Sequence, residues 1–105
     1  MVSVALRITD LPNVATATRK SLPFAQVEGT SITIKSQLAG DLPLNDHLVW
    51  LWGMLHNERR YLKALQAEGG RITVDVTDAR PPIEIKPNGA EMLHLLGATL
   101  TVSST

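Results

Sequence analysis

The chain has 105 residues, of which 44% are hydrophobic and 19% are charged. This length and composition predict one globular domain spanning residues 1–105. Ten basic residues balance ten acidic ones, which argues against a dedicated binder of nucleic acid or anionic membranes, because both depend on a surplus of Lys and Arg. The chain has no cysteine, which excludes disulfides, thiolate metal sites and a cysteine nucleophile.

The first twenty residues alternate apolar and polar side chains and contain no continuous apolar stretch typical of signal peptides. The longest unbroken apolar run, Leu48 to Trp52, is far too short to span a membrane. Small secreted domains often need disulfides, so the lack of cysteine favours the cytoplasm. We therefore expect a cytoplasmic protein without a membrane partner.

The first half of the chain alternates in a way that is typical of half-buried strands. Apolar residues at every second position predict a strand over residues 2–9. A weak, Thr-rich helix is predicted over residues 11–20, and residues 22–28 are ambiguous, with an extended piece before Gly29 as one interpretation. Residues 32–38 alternate again and predict a second strand.

One long helix is predicted from Leu44 to Ala67. Asp41 or Asn45 is its expected N-cap, and Gly69-Gly70 is expected to end it, because glycine adopts the left-handed conformation of a C-terminal cap.

The rest of the chain contains shorter elements. Residues 71–77 alternate as a strand, and Ile83 and Ile85 predict a short strand. Asn88 is the expected cap of a second helix, which Gly97 ends. Residues 99–103 predict the final strand.

From residue 31 onward the predicted order is strand, helix, strand, strand, helix, strand. This is the ferredoxin-like split β-α-β pattern with an additional strand at its start. A competing interpretation starts the same pattern at Val2 and uses the weak helix over residues 11–20. Both predict an α+β sandwich with a mostly antiparallel sheet of about five strands and with one long and one short helix on one face.

The long helix is apolar over an arc of about 200°, wider than one contact with a sheet requires. The leucines of one side should pack on the sheet: Leu44, Leu48, Leu51, Leu55 and Leu62. Asn45 is expected on the polar side. Trp50, Met54 and Tyr61 extend the apolar arc and are the predicted interface or pocket residues. Three explanations of this additional apolar surface remain open. The early segment of the chain covers it, a second subunit covers it, or it lines a small-molecule cleft.

No group of residues indicates catalysis, a cofactor or a metal site. His47 and His56 are nine residues apart on one helix and point nearly opposite ways, and His94 lies on another helix. No glycine-flanked serine elbow or phosphate loop is present. The predicted strands carry no aromatic residue, whereas RNA-binding sheets stack bases on aromatic rings, so no nucleic-acid partner is expected.

Several segments resemble a bacterial family of small α+β proteins numbered 4279 among domains of unknown function. They are Asp46 to Leu51 with Leu55, residues 62–65 with Glu68-Gly69-Gly70, and Pro87 to Leu100, and residues 4–8 also fit. The similarity lies in hydrophobic pattern and helix ends and touches most of the chain, although residues 13–30 lack a Trp-containing stretch of the family pattern. The resemblance implies a cytoplasmic bacterial protein and assigns no catalytic residue.

These observations favour a non-enzymatic protein-interaction or regulatory module, which binds an unknown partner protein or forms a homodimer. The alternative is a small-ligand sensor or minor enzyme with a pocket between the long helix and residues 11–28. A concave, partly exposed pocket at Trp50 and Tyr61 would favour the alternative. A closed core there, with an exposed apolar patch elsewhere, would favour the interaction module.

Overall fold

A computed structural model of the chain describes residues 2–11, 24–79 and 83–103. The strands in these ranges are β1 (Ser3–Thr9), β2 (Ala25–Glu28), β3 (Ser31–Lys35), β4 (Arg71–Thr77) and β5 (Thr99–Val102). The helices are α1 (Leu44–Leu55), α2 (Arg59–Ala67) and α3 (Pro87–Leu96), with a 3-10 turn, His56–Glu58, between α1 and α2. The helix predicted over residues 11–20 falls almost entirely outside the described residues.

The five described strands form one mixed sheet in the order β2-β3-β1-β4-β5. β1 pairs antiparallel with β3 and with β4, β2 pairs antiparallel with β3, and β5 pairs parallel with β4. β3 and β4 therefore run in the same direction on either side of β1. The chain from β3 through α1 and α2 to β4 is a split β-α-β unit, and the predicted α+β class is confirmed.

The predicted strand at Ile83–Ile85 is wrong, and a ferredoxin-like fold is not confirmed. Residues 83–86 have no regular secondary structure. The backbone N–H of Lys86 donates to Oδ1 of Asn45 at 2.9 Å instead of joining a strand. Only two apolar residues alternate in this segment, a pattern too short to separate a strand from an extended connection. Among the described residues, the connection from β4 to β5 contains α3 and no strand, and such a helical crossover allows the two strands to be parallel.

The predicted single helix from Leu44 to Ala67 is interrupted by the 3-10 turn. The carbonyl of His56 accepts the backbone N–H of Arg59, three residues later, and also Arg59 Nη1 at 2.9 Å. The side chain of Arg59 thus stabilises the tighter turn. Leu55 and Leu62, on either side of the turn, are both fully buried, so the apolar sides of α1 and α2 still share one core.

The two ends of this helical segment differ in how well they were predicted. Neither Asp41 nor Asn45 caps α1, because the N-cap residue is Pro43 and no side chain accepts a capping hydrogen bond there. The C-terminal end is confirmed. Gly69 has a φ of 106°, and the N–H of Gly70 donates to the carbonyl of Leu65 at 2.9 Å.

The core lies between one face of the sheet and the helices. Alternate strand residues are buried on that face: Val4, Leu6, Ile8, Ile32, Ile34, Ile72, Val74 and Val76. The helices bury Leu44, Leu48, Leu51, Leu55, Leu62, Leu65, Met92 and Leu96 against them. The prediction that one leucine side of the long segment packs on the sheet is confirmed.

The side chain of Asn45, in the first turn of α1, points towards α3 and is only 5% exposed. Its predicted place on the polar side of the helix is therefore wrong. Its Oδ1 accepts the backbone N–H of Lys86, and its Nδ2 donates to Oδ1 of Asn88 at 3.0 Å. Gly89, the next residue of α3, lies against α1, where an added Cβ would overlap Asn45 Oδ1. One buried amide therefore joins the start of α1 to the start of α3.

Replacing Asn45 with alanine should lower the free energy of unfolding by about 1–3 kcal/mol, because the N–H of Lys86 and the amide of Asn88 lose a buried partner. Gly89→Ala should also destabilise the protein, since its methyl group overlaps Asn45. Urea unfolding followed by circular dichroism measures both effects. Asn57→Ala, at an exposed position of the 3-10 turn, is the matched control. An Asn45→Ala variant as stable as the control would contradict this role of the amide.

Candidate functional site

The side of α1 that faces away from α3 carries two of the predicted site residues. Trp50 and Met54 are one helical turn apart, and His47 is three residues before Trp50, so the three share one side of the helix. Trp50 and Met54 are half-buried and pack against the core. Tyr61 is also half-buried against the core, but it lies on α2, beyond the 3-10 turn.

Phe24 covers part of Trp50. The two ring centroids are 5.6 Å apart with the ring planes tilted by 42°, a favourable geometry for an aromatic pair. Phe24 is itself 55% exposed. One residue of the early segment thus contacts Trp50, in agreement with the alternative in which the early segment covers this side of the helix. Val14 and Leu22, two other apolar residues of that segment, lie outside the described residues.

Val27 extends this apolar surface along β2. It is paired with the core residue Ile32, so it points to the helical side of the sheet, yet 44% of it is exposed. β2 and α1 begin at the same end of the sheet, where β3 ends. Val27 lies two residues beyond Ala25, about 7 Å along the strand, and three residues beyond Phe24. We call Phe24, Val27, Trp50 and Met54 the aromatic edge.

The opposite face of the sheet is polar and open. Arg7 and Asp75 form an ion pair across β1 and β4 with a separation of 3.5 Å, and Arg71 lies 3.8 Å from Asp10. Both pairs are exposed to water, and such pairs contribute little to stability. The strand residues of this face in the described ranges include no aromatic side chain. This face offers no ring for base stacking, whereas the aromatic edge lies on the helical side.

A groove of about 590 Å³ opens at the start of α1. Its walls come from the start of β1, the loop before α1, the end of β4 and the segment before α3. The lining residues are Val2, Gly40, Asp41, Leu42, Pro43, Leu44, Asp78, Ala79, Ile83 and Glu84. None of Trp50, Met54 and Tyr61 lines it, so it is not the predicted pocket between the long helix and residues 11–28. Its charged side chains are three carboxylates, which offer no nucleophile and base in hydrogen-bond contact.

A buried histidine lies next to the aromatic edge. Nδ1 of His47 is 2.7 Å from Oγ of Ser36, and the ring is 1% exposed. A serine–histidine contact can activate a nucleophile, but here no substrate can reach the ring, and no carboxylate contacts its other nitrogen. The sequence signal for burial was its position between Leu44 and Leu48, at the border of the apolar side.

The described residues contain no group of three His, Asp or Glu side chains that could hold a metal ion. His47 is interior, His56 packs edge-on against Trp52 with centroids 5.0 Å apart, and His94 is exposed. In the same ranges no helix has the length and hydropathy needed to cross a bilayer.

Comparison of the chain with protein families, curated proteins and solved structures finds no significant match. The resemblance to the bacterial family numbered 4279 therefore stays a prediction, and any function has to be argued from the surfaces described above.

The contact between Phe24 and Trp50 should stabilise the aromatic edge by about 0.5–1.5 kcal/mol, the usual coupling of an aromatic pair. A double-mutant cycle with Phe24→Leu, Trp50→Leu and the double variant measures this coupling through urea unfolding. Trp52→Leu combined with Phe24→Leu is the matched control, because Trp52 packs on His56 instead. A coupling no larger than that of the control pair would show that Phe24 does not hold Trp50.

Proposed function

We propose that the protein is a non-enzymatic interaction module that self-associates through the aromatic edge, with the β2 strands of two copies pairing side by side. The observation that carries this proposal is the exposure of Phe24 and Val27 beside β2, the end strand among the described strands of the sheet. Large exposed apolar side chains that lie together mark contact surfaces more often than isolated ones do.

β2 is the end strand of the sheet, and no described strand pairs with its outer side. The N–H and C=O groups on that side are a template for another strand. Residues 25–28 contain neither Lys nor Pro, the residues that commonly prevent such pairing, and Glu28 is their single charge. Two β2 strands related by a two-fold axis would pair antiparallel and form a self-complementary contact.

Phe24 has a φ of 57°, which places a bulky residue in the left-handed region. This conformation costs about 1–2 kcal/mol relative to the right-handed one. Backbone strain of this kind is concentrated at functional positions. It supports a role for the Phe24 ring as an aromatic anchor, the residue class that contributes most to binding at interfaces.

Charge and size support a second copy as the partner. The chain has zero formal net charge, so two copies do not repel each other strongly. Each copy contributes a four-residue strand and one exposed aromatic ring, which together make a contact smaller than a standard interface. The dimer should therefore be weak. The lack of cysteine fits a reducing compartment such as the cytoplasm, and the family resemblance adds a bacterial source to the proposal.

A small-ligand sensor is the second candidate function, and the groove at the start of α1 favours it. A groove of about 590 Å³ is large enough for a metabolite. Native mass spectrometry of protein purified under mild conditions tests this candidate. A retained small molecule that is absent from an Ile83→Trp variant, in which a larger side chain fills the groove, would support it.

Sedimentation equilibrium of the wild-type chain should show a mass that rises with concentration towards that of a dimer, with a dissociation constant in about the micromolar to millimolar range. Val27→Lys should abolish this association, because lysine places a charge at the edge strand. Val102→Lys is the matched control, since Val102 is 39% exposed on β5, at the opposite edge of the sheet. A wild-type chain that is monomeric at about 1 mM, or equal effects of the two variants, would contradict the proposal.

A further inference from the structure

The groove at the start of α1 combines an apolar lining with charges of one sign. Of the described residues that line it, six are apolar and three carry a carboxylate, namely Asp41, Asp78 and Glu84. The same lining residues include no Lys, Arg or His. No ion pair between described residues includes any of the three carboxylates. The negative charge of the groove is therefore not compensated by an ion pair within the described ranges.

This negative charge is a local feature of the groove, because the whole chain has ten basic and ten acidic residues. The three carboxylates come from separate segments: Asp41 precedes α1, Asp78 directly follows β4, and Glu84 lies before α3. Like charges that converge on one cleft focus its electric field and raise the local concentration of counter-ions. The groove therefore attracts cations and repels anions.

The rest of the lining suits an apolar chain. Leu44 and Ala79 are buried there, 8% and 6% exposed, whereas Leu42 and Ile83 expose 36% and 47% of their surface. An apolar chain that lies on Leu42 and Ile83 removes this exposed surface from water. The groove has a volume of about 590 Å³, within the range of small-molecule sites. Its size and lining fit a small molecule that has both an apolar part and a positive charge.

Hydrogen bonds hold two walls of the groove in place. The N–H of Val2 donates to the carbonyl of Gly40 at 2.9 Å, which joins the chain before β1 to the loop before α1. The N–H of Lys86 donates to Oδ1 of Asn45 at 2.9 Å, which fixes the end of the segment that carries Glu84. Because these walls are already positioned, a ligand spends little free energy on ordering them.

We propose that the groove binds a small organic cation, an ammonium group carried on a short apolar chain. The ammonium group lies beside the carboxylates, and the apolar chain lies on Leu42 and Ile83. The proposal goes beyond self-association. It rests on the second candidate function, because it names the class of ligand that the groove takes.

An NMR titration at neutral pH with three compounds of equal chain length tests the charge of the ligand. Hexylammonium, 1-hexanol and hexanoate have the same apolar chain and differ in the charge of the head group. Hexylammonium should shift the amide resonances of Val2, Leu42 and Ile83, and it should bind about tenfold more tightly than 1-hexanol, because three exposed carboxylates each contribute a modest attraction. Hexanoate should bind more weakly than 1-hexanol.

The contribution of the apolar chain is measured with butylammonium in the same titration. Each CH₂ group removed from the ligand should weaken binding by up to about fourfold. Raising the ionic strength from about 0.01 M to about 1 M, which shortens the screening length from about 30 Å to about 3 Å, should weaken the binding of hexylammonium but not that of 1-hexanol.

Variants that remove one charge and keep the size of the side chain locate the site. Glu84→Gln and Asp78→Asn should each weaken the binding of hexylammonium by about twofold to fivefold and leave that of 1-hexanol unchanged. Asp78 has a φ of 57°, a conformation that asparagine also adopts. Glu91→Gln is the matched control, because Glu91 is an exposed carboxylate of α3 that does not line the groove.

The proposal is refuted if hexanoate or 1-hexanol binds as tightly as hexylammonium, or if the shifted amides lie away from the groove. It is also refuted if Glu91→Gln weakens binding as much as Glu84→Gln does. Equal binding of the three compounds within the groove would contradict the cation and leave the groove as a small-molecule site. Val27→Lys should bind hexylammonium as the wild type does, so the outcome is separate from that of self-association.

Discussion

The arrangement of the helices depends on one buried amide, the side chain of Asn45. A buried amide is costly when its groups are unpaired and stabilising when they are paired, and here both ends have partners on the far side of the helix contact. The partners are Lys86, the N-cap residue of α3, and Asn88 in its first turn, so the amide holds the start of that helix against α1. α3 connects β4 to β5, which run parallel. The contact therefore anchors the connection between the last two strands to the helix that precedes them.

The position of α3 has a consequence for the other side of the sheet. α1 and α2 connect β3 to β4 across the central strand β1, and α3 connects β4 to β5 at one end of the sheet. β2 lies at the other end of the sheet, where α1 is the nearest described helix. Its inward residue Val27 is 44% exposed, whereas Val4 on the central strand is 2% exposed. The aromatic edge is therefore a product of an uneven helical layer, and it lies on the side of α1 that also carries His47.

Periodic features of the structure were predictable from the sequence, and the features that depend on distant partners were not. Alternation identified β1, β3, β4 and β5, because a sheet with one covered face requires apolar residues at every second position. The glycine pair after α2 identified the helix end, because that position needs a left-handed residue. The strand predicted at Ile83–Ile85 failed because the backbone there bonds to Asn45, 41 residues earlier. Asn45 and His47 were missed as interior residues, since their burial depends on the loop and the helix packed beside α1. Trp50 and Met54 were recognised as a flank that needs a cover, and the early segment that contains Phe24 was one of the three expected covers. Which residue of that segment would contact Trp50 could not be chosen from the sequence, because the contact depends on packing between residues far apart along the chain.

The central position of β1 affects how the protein is made. β1 precedes both of its neighbours in the sheet, β3 and β4, and Ser3 is paired to Thr77, 74 residues later. The sheet can therefore not close around its middle strand until β4 has been synthesised. Pairing between residues so far apart along the chain slows folding. Until β4 is available, the apolar side of β1 has no complete layer to pack against, and it is open to chaperones or to other nascent chains.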